Sequence, residues 1–349
     1  MRHRALSLTL AGLAVLLMAT TVFAQTTFVT TGRVDTIIGF SQARVPTEVA
    51  PGTFVPQVRA MDRLAAAQGE PIVSYVTDLE TYFVDRFGWR PSAETTVLLY
   101  TNNETMIGDL QSLRGTPMTD LVSINGLSQP AILTKVNQSN GPVPEGSWAI
   151  LVSLDMDAAN RMFNEQAFQF SVINNQSSLI PGVNVPTTNT IDQAALDARN
   201  AMAMIQQSLA RQYTQLMIED LAGISGPEWF RSGLADSISF ALVPGVPQEQ
   251  GEALAVARYE ELNNNIPTLS QIQDVWSFFI GQGGLTAETA RGIGFLASRT
   301  LTNTLSGSQI ASILENLGSG SSFDSQLQST AGFDLAELDI QFQSLIPIP

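Results

Sequence analysis

An α+β fold, with strands and helices in the first half and a mostly helical second half, is what this sequence predicts. Three observations carry that expectation. Two compact apolar runs, ETTVLLYT (94–101) and WAILVSL (148–154), have the length and the apolar, β-branched-rich composition of buried strands. From residue 191 onward, apolar residues recur every three or four positions, the period of a helix with one buried face. Hydrophobic residues make up 44% of the 349 and charged residues only 14%, which supplies a substantial core and is not the composition of a disordered chain. Strands first and helices afterwards make an α+β arrangement, and the length allows about two domains or one large one.

The elements follow in chain order. Met1 to Arg4 is a short basic stretch, Ala5 to Met18 is mostly apolar, and Val22-Phe23-Ala24 places small or modest residues ahead of a cleavage after Ala24. Those are the three parts of a secretory signal peptide, so residues 1–24 are expected to be removed and the mature chain to be extracytoplasmic. Residues 25–60 are rich in Thr, Val and Pro and read as an irregular segment or edge strand. Residues 61–190 form the N-terminal α/β part. There, Leu64, Ile72, Val76, Leu79, Phe83 and Phe87 mark one or two helices interrupted near Gly69 and Pro71 and ended by Gly88. A strand at 94–101, a helix at 103–113, a short strand at 120–124 and a strand at 148–154 follow, and 171–190 reads as an exposed connection. Residues 191–345 form the helical part. Its first helix carries Ala198, Met202, Ile205, Leu209, Tyr213 and Leu216, and its second opens at Pro227, which suits a first helical turn. Further helices are predicted at 248–263, 269–279, 286–305, 307–317, 323–331 and 335–345.

Charge and composition exclude whole classes of function. Seventeen basic residues against 32 acidic give a net charge of −15, and loss of Arg2 and Arg4 with the signal segment takes the mature chain to −17. Such a chain repels phosphate backbones, so nucleic acid is not an expected partner. No later run approaches the ~20 apolar residues of a membrane span. There is no cysteine, hence no disulfide, thiolate site or lipid-bearing N-terminal Cys. Lys135 is the only lysine and His3 the only histidine. With His3 in the signal segment, Ser–His–Asp and Cys–His chemistry is excluded from the mature protein.

The second half has a recognisable grammar. LARQYTQLM (209–217) is followed by GPEWFRSGLADSISF (226–240), IPTLSQI (266–272), a helix at 286–304, and LENLGSGSSFDSQLQSTAGFDLAELDIQF (314–342). The series resembles the peptidase MA-like family of gluzincin metallopeptidases, with its LAHELTH helix, PxWLSEGLAEY helix, PSL segment and closing helix pair. The resemblance covers roughly residues 200–345. It implies a zincin-like fold, with a small mixed β-sheet and helices before a mostly helical part and a cleft between them.

In that family, two histidines at i and i+4 and a Glu on the next helix hold one zinc, and the Glu after the first histidine serves as general base. Carried onto this chain, those positions fall on Arg211, Gln215, Ser232 and Gln212 respectively. Arg211 is a permanent cation without a lone pair to give. Gln212 has no titratable carboxylate, Gln215 offers only a weak carbonyl oxygen, and Ser232 removes a negative charge. Asp236 matches a carboxylate that supports the metal site. Without a metal it is expected to be a remnant or a salt-bridge partner, most simply for Arg211.

The polar positions Ser208, Arg211, Gln212, Gln215 and Glu219 read either as an ordinary solvated helix face or as a degenerate active site. Trp229 and Phe230 read as core. Asp155 and Asp157 resemble a scrap of a calcium loop without its glycine and terminal Glu. Glu219, Asp220 and Asp236 are oxygen donors for a hard cation in principle, and Lys135 in a Pro/Asn-rich stretch is a poor partner for a catalytic Ser. Three Asn sequons, at 103, 137 and 175, matter only in a host that glycosylates, and the composition looks bacterial. The resulting expectation is a secreted pseudo-metallopeptidase without cofactor or metal, binding an extended peptide or an envelope protein in the former cleft. The alternatives are a hydrolase using carboxylates without zinc and a purely structural cell-envelope interaction protein whose cleft is filled by side chains.

Overall fold

The computed structural model describes residues 27–31, 34–39, 54–115, 129–139, 143–175, 193–261, 265–272 and 287–346. The signal segment with Ala24, the strand expected at 120–124 and most of the connection expected at 171–190 lie outside them.

The fold is mixed α+β. Thr27–Thr31 (β1) and Val34–Gly39 (β2) form a two-stranded antiparallel sheet. The main sheet has four strands, Gln57–Ala60 (β3), Thr95–Tyr100 (β4), Ala131–Lys135 (β5) and Trp148–Ser153 (β6), in the order β3-β4-β6-β5. β3, β4 and β6 run parallel, and β5 lies antiparallel on the outer edge. β4 is buried at all six positions, as its unbroken apolar and Thr composition requires for a central strand covered on both faces.

The pleat sorts the two strongest strands between two cores. Val97, Leu99, Ile150 and Val152 face the large core, whereas Leu98, Tyr100, Ala149 and Leu151 face a smaller one with Met106, Leu110 and Leu113. Period-two alternation within apolar runs is how one strand supplies both layers. The smaller core is covered by Asn103–Arg114 (α3). The larger is covered by Glu70–Phe87 (α2), which Arg63–Gln68 (α1) precedes. The break between α1 and α2 falls at Gly69, where a Cβ would lie 2.8 Å from Ala65 O and 2.6 Å from Leu99 Cδ1, so any side chain there forces the turn to shift. α2 ends at Gly88, whose φ of 68° is left-handed and whose N–H reaches the carbonyls of Phe83 and Val84.

The helical half holds Met156–Asn175 (α4), Gln193–Leu221 (α5), Glu228–Leu242 (α6), Pro247–Glu261 (α7), Ala287–Thr304 (α8), Gly307–Gly318 (α9), Phe323–Ala331 (α10) and Leu335–Gln343 (α11). α5 is the central beam, buried at positions all round its circumference and packed on α4, α6, α9 and β5. α6 crosses α8 with almost no separation. A Cβ on Gly233 would lie 2.1 Å from Gly294 O, and one on Gly294 would lie 2.8 Å from Trp229 O. Trp229 and Phe230 are core, as expected, and both stack on Phe323 of α10. The IPTLSQI segment docks on the closing helix, where Leu269 N–H donates to Asp339 Oδ1 over 2.8 Å.

The structure sharpens four expectations. Residues 57–60 are an edge strand of the main sheet, and 27–31 pairs with 34–39, so of the two readings of 25–60 the edge-strand one holds at these residues. Residues 131–135 form β5, so Lys135, though exposed, sits at the end of a strand, with its ammonium 5.7 Å from the Trp148 ring centroid. The LDMDAAN stretch opens α4, where Asp155 accepts from Ala158 N–H as a helix cap, and that helix runs on to Asn175. Residues 269–272 form turns where a helix was expected to start.

Candidate functional site

The polar face of α5 is where family resemblance places chemistry, and the structure puts it inside the protein. Ser208 and Gln212 are buried, while Arg211, Gln215 and Glu219 are half-buried. The solvated-face reading is therefore wrong.

Two of these residues hold the edge of the sheet. Ser208 Oγ accepts from Ala131 N–H and Gln212 Oε1 accepts from Leu133 N–H, each over 3.0 Å. Gln212 Nε2 donates in turn to Gln129 Oε1 over 3.1 Å. Alternate N–H groups of an edge strand point away from its neighbour and need partners when covered. Residues two apart on a strand repeat every ~6.7 Å, and residues four apart on a helix every ~6 Å. A polar i, i+4 pair on α5 thus fits the free i, i+2 donors of β5.

Arg211 turns to the next helix. Its Nε lies 2.5 Å from Asp236 Oδ1, in a pair whose side chains are 18% and 1% exposed. Asp236 holds the Arg211 guanidinium still further above its usual pKa, with burial opposing. The ion pair expected between these two residues is present. Beside it, Gln207 Nε2 donates to Ser239 Oγ over 3.1 Å, a second polar link between α5 and α6. Gln215 turns along its own helix to Glu219, at 3.0 Å. Ser232 is half-buried on α6, one turn before Asp236 and on the same face by its i, i+4 spacing.

A second acid, not singled out by sequence, completes the cluster. Glu252 of α7 is 4% exposed and accepts from Gln248 Nε2 over 3.0 Å. Burial first, then the neighbouring Asp236, push its carboxyl up to about 8, against the pull of Arg291, Gln248 and Arg211.

The donor set does not suit zinc. The four positions present one cation, two carboxamides and a hydroxyl, and three of them are already bonded within the fold: Arg211 to Asp236, Gln212 to β5 and Gln215 to Glu219. Among the described residues, no three His, Cys, Asp or Glu side chains gather as metal donors. Nor do Glu219, Asp220 and Asp236 converge on a common point. Asp220 takes Trp89 Nε1–H at 3.0 Å and Ser92 N–H at 2.9 Å, tying α5 to the turn before β4.

No protein-family model, curated protein or solved structure matches the chain. The peptidase-like reading of this cluster therefore rests on the sequence motifs alone. No helix among the described residues is long and apolar enough to cross a membrane.

Residues missed by sequence reading are the contacts rather than the motif. Glu252 and Arg291 lie in predicted helices but belong to no motif, and Gln129 lies in a stretch without a pattern. Ser208 and Gln212 stand among many polar residues of the same helix, so nothing in the sequence marks these two as buried.

Proposed function

We propose that this chain is a secreted, non-catalytic relative of the peptidase MA-like proteins, in which the catalytic helix pair has become a structural joint and the former groove is filled by its own side chains. It acts as an interaction or structural module of the cell envelope, through its outer surface. The observation that carries this reading is the occupation of β5. An extended substrate adds to a sheet by taking the free backbone groups of its edge strand, and the Ala131 and Leu133 N–H groups are already bonded to Ser208 and Gln212. The mixed sheet ahead of a helical half, the ordered motif series and the Arg211–Asp236 pair support the same reading. They favour the filled-cleft alternative over a groove that binds extended peptides.

Photo-crosslinking with a library of extended peptides tests it. Wild-type protein is expected to give no crosslinks mapping to residues 131–135, and the double variant Ser208→Ala/Gln212→Ala, with both donors freed, to gain them. Specific crosslinks at 131–135 in the wild type would overturn the proposal.

A further inference from the structure

Helix α7 is held by a buried acid at its tightest crossing. A Cβ on Gly292 of α8 would lie 2.2 Å from Glu252 O and 2.7 Å from Val256 Cγ2, so the two backbones touch where Glu252 sits. Val256 and Ala257 beside it are buried. The carboxyl is only half satisfied, because Oε1 accepts from Gln248 while the buried Oε2 has no hydrogen-bond partner among the described residues. The charged groups acting on it are Asp236 from α6, Arg211 from α5 and Arg291 from α8. Arg211 is already committed to Asp236, and Arg291 Nε is itself buried without a hydrogen bond among the described residues. α4 also packs on α7 and carries Asp157, Arg161 and Glu165, all three exposed. At the solvent side, Glu249 pairs with Arg299.

We infer that Glu252 is a proton-operated latch. α7 stays docked on α8 and α4 while this carboxyl is protonated, and it swings free as the surroundings turn mildly alkaline. The reason is the asymmetry of cost. A protonated carboxyl carries no charge and leaves at most one O–H without an acceptor, whereas a buried carboxylate beside Asp236 must be hydrated or fully paired. A second carboxylate at the joint is repelled by the first, and the route to water is outward with α7. Gly245, in the left-handed region at φ 87°, gives the chain a pivot just before the helix. The inference rests on α7 and its neighbours and holds whether or not the groove is a relic of a peptidase.

Hydrogen exchange on the full mature chain at pH 6 and pH 8 tests it, with rates corrected for the intrinsic pH dependence of exchange. A group titrating near 8 when docked and near 4.5 when free makes opening ~50-fold more frequent at the higher pH. α7 amides around 253–258 should lose protection by that factor, while β4 amides keep theirs. In Glu252→Gln, which mimics the protonated carboxyl, α7 protection should not change with pH. Unchanged wild-type protection between the two pH values would overturn the inference, and so would an equal loss in Glu252→Gln. Should that variant fail to fold, Glu249→Gln decides: a loss like the wild type's keeps the latch at Glu252, and its abolition moves the effect to the surface pair and refutes the proposal.

Discussion

Breaking the Arg211–Asp236 pair from either side should be costly, and breaking it from both sides much less so than the sum. Asp236 is 1% exposed and its partner only 18%, so neither charge can recover full hydration without moving a helix. Removing one partner of a buried pair costs ~3–5 kcal/mol because the other charge is stranded. Asp236→Asn should fall at the lower end, because loss of Asp236 removes a charge that keeps Glu252 protonated and so lets Glu252 ionise and balance the stranded guanidinium. Arg211→Met should fall at the upper end, because it strands the buried Asp236 carboxylate beside a Glu252 that is protonated at pH 7. The double variant removes both charges, so the two single effects should fail to add by ~2 kcal/mol or more. Urea denaturation followed by circular dichroism at pH 7 measures all three, and at ~2 °C per kcal/mol for a chain of this size the single variants should also melt several degrees lower. Additivity within ~0.5 kcal/mol would refute the pair as the joint between α5 and α6 and leave it a passive surface contact.

Three further outcomes follow from the same geometry. Ser208→Ala strands the buried Ala131 N–H and should cost ~1–3 kcal/mol by urea denaturation, with Gln212→Ala similar; values under ~0.5 kcal/mol for both would mean that β5 is not held by α5. Gly294→Ala places a methyl against the α6 backbone at Trp229 O and should destabilise by ~1–3 kcal/mol through overpacking, whereas Gly320→Ala, where a Cβ meets open space but φ is 92°, should show only backbone strain. Glu252 binds its proton more tightly folded than unfolded, so its contribution to stability is complete below about pH 4.5 and is lost as pH rises toward about 8. Wild-type stability should therefore fall by up to a few kcal/mol across that window and Glu252→Gln should flatten the decline; a parallel decline in both would assign it to other groups.

Much of the fold is legible because its signals are local. The β-branched run 95–100 and the apolar stripe of α5 each declare their own period, and Gly88, Pro227 and Gly307 mark helix ends within a residue or two of where they fall. β3 and β5 are not legible, and the reason is physical. QVRA and AILTK are short edge strands whose strand character comes from pairing with β4 and β6 rather than from their own composition. α4 was hidden because LDMDAAN uses a capping Asp, which resembles a ligand loop until its partner, the Ala158 N–H, is seen. At the candidate site, the motif register placed Arg211 and Asp236 opposite each other correctly, since the spacing of two helices constrains a pair. What Gln212 does instead of chemistry was illegible, because its partner lies 79 residues away on a strand the sequence does not announce.

In the function proposed above, α5 and α6 hold the fold rather than a metal. Metal content by elemental analysis of the purified mature protein after equilibration with zinc, read together with hydrolysis of a casein substrate with and without chelator, tests it most directly. Zinc far below one per chain and no chelator-sensitive cleavage are expected, whereas one tightly held zinc per chain with cleavage abolished by chelation would contradict the claim.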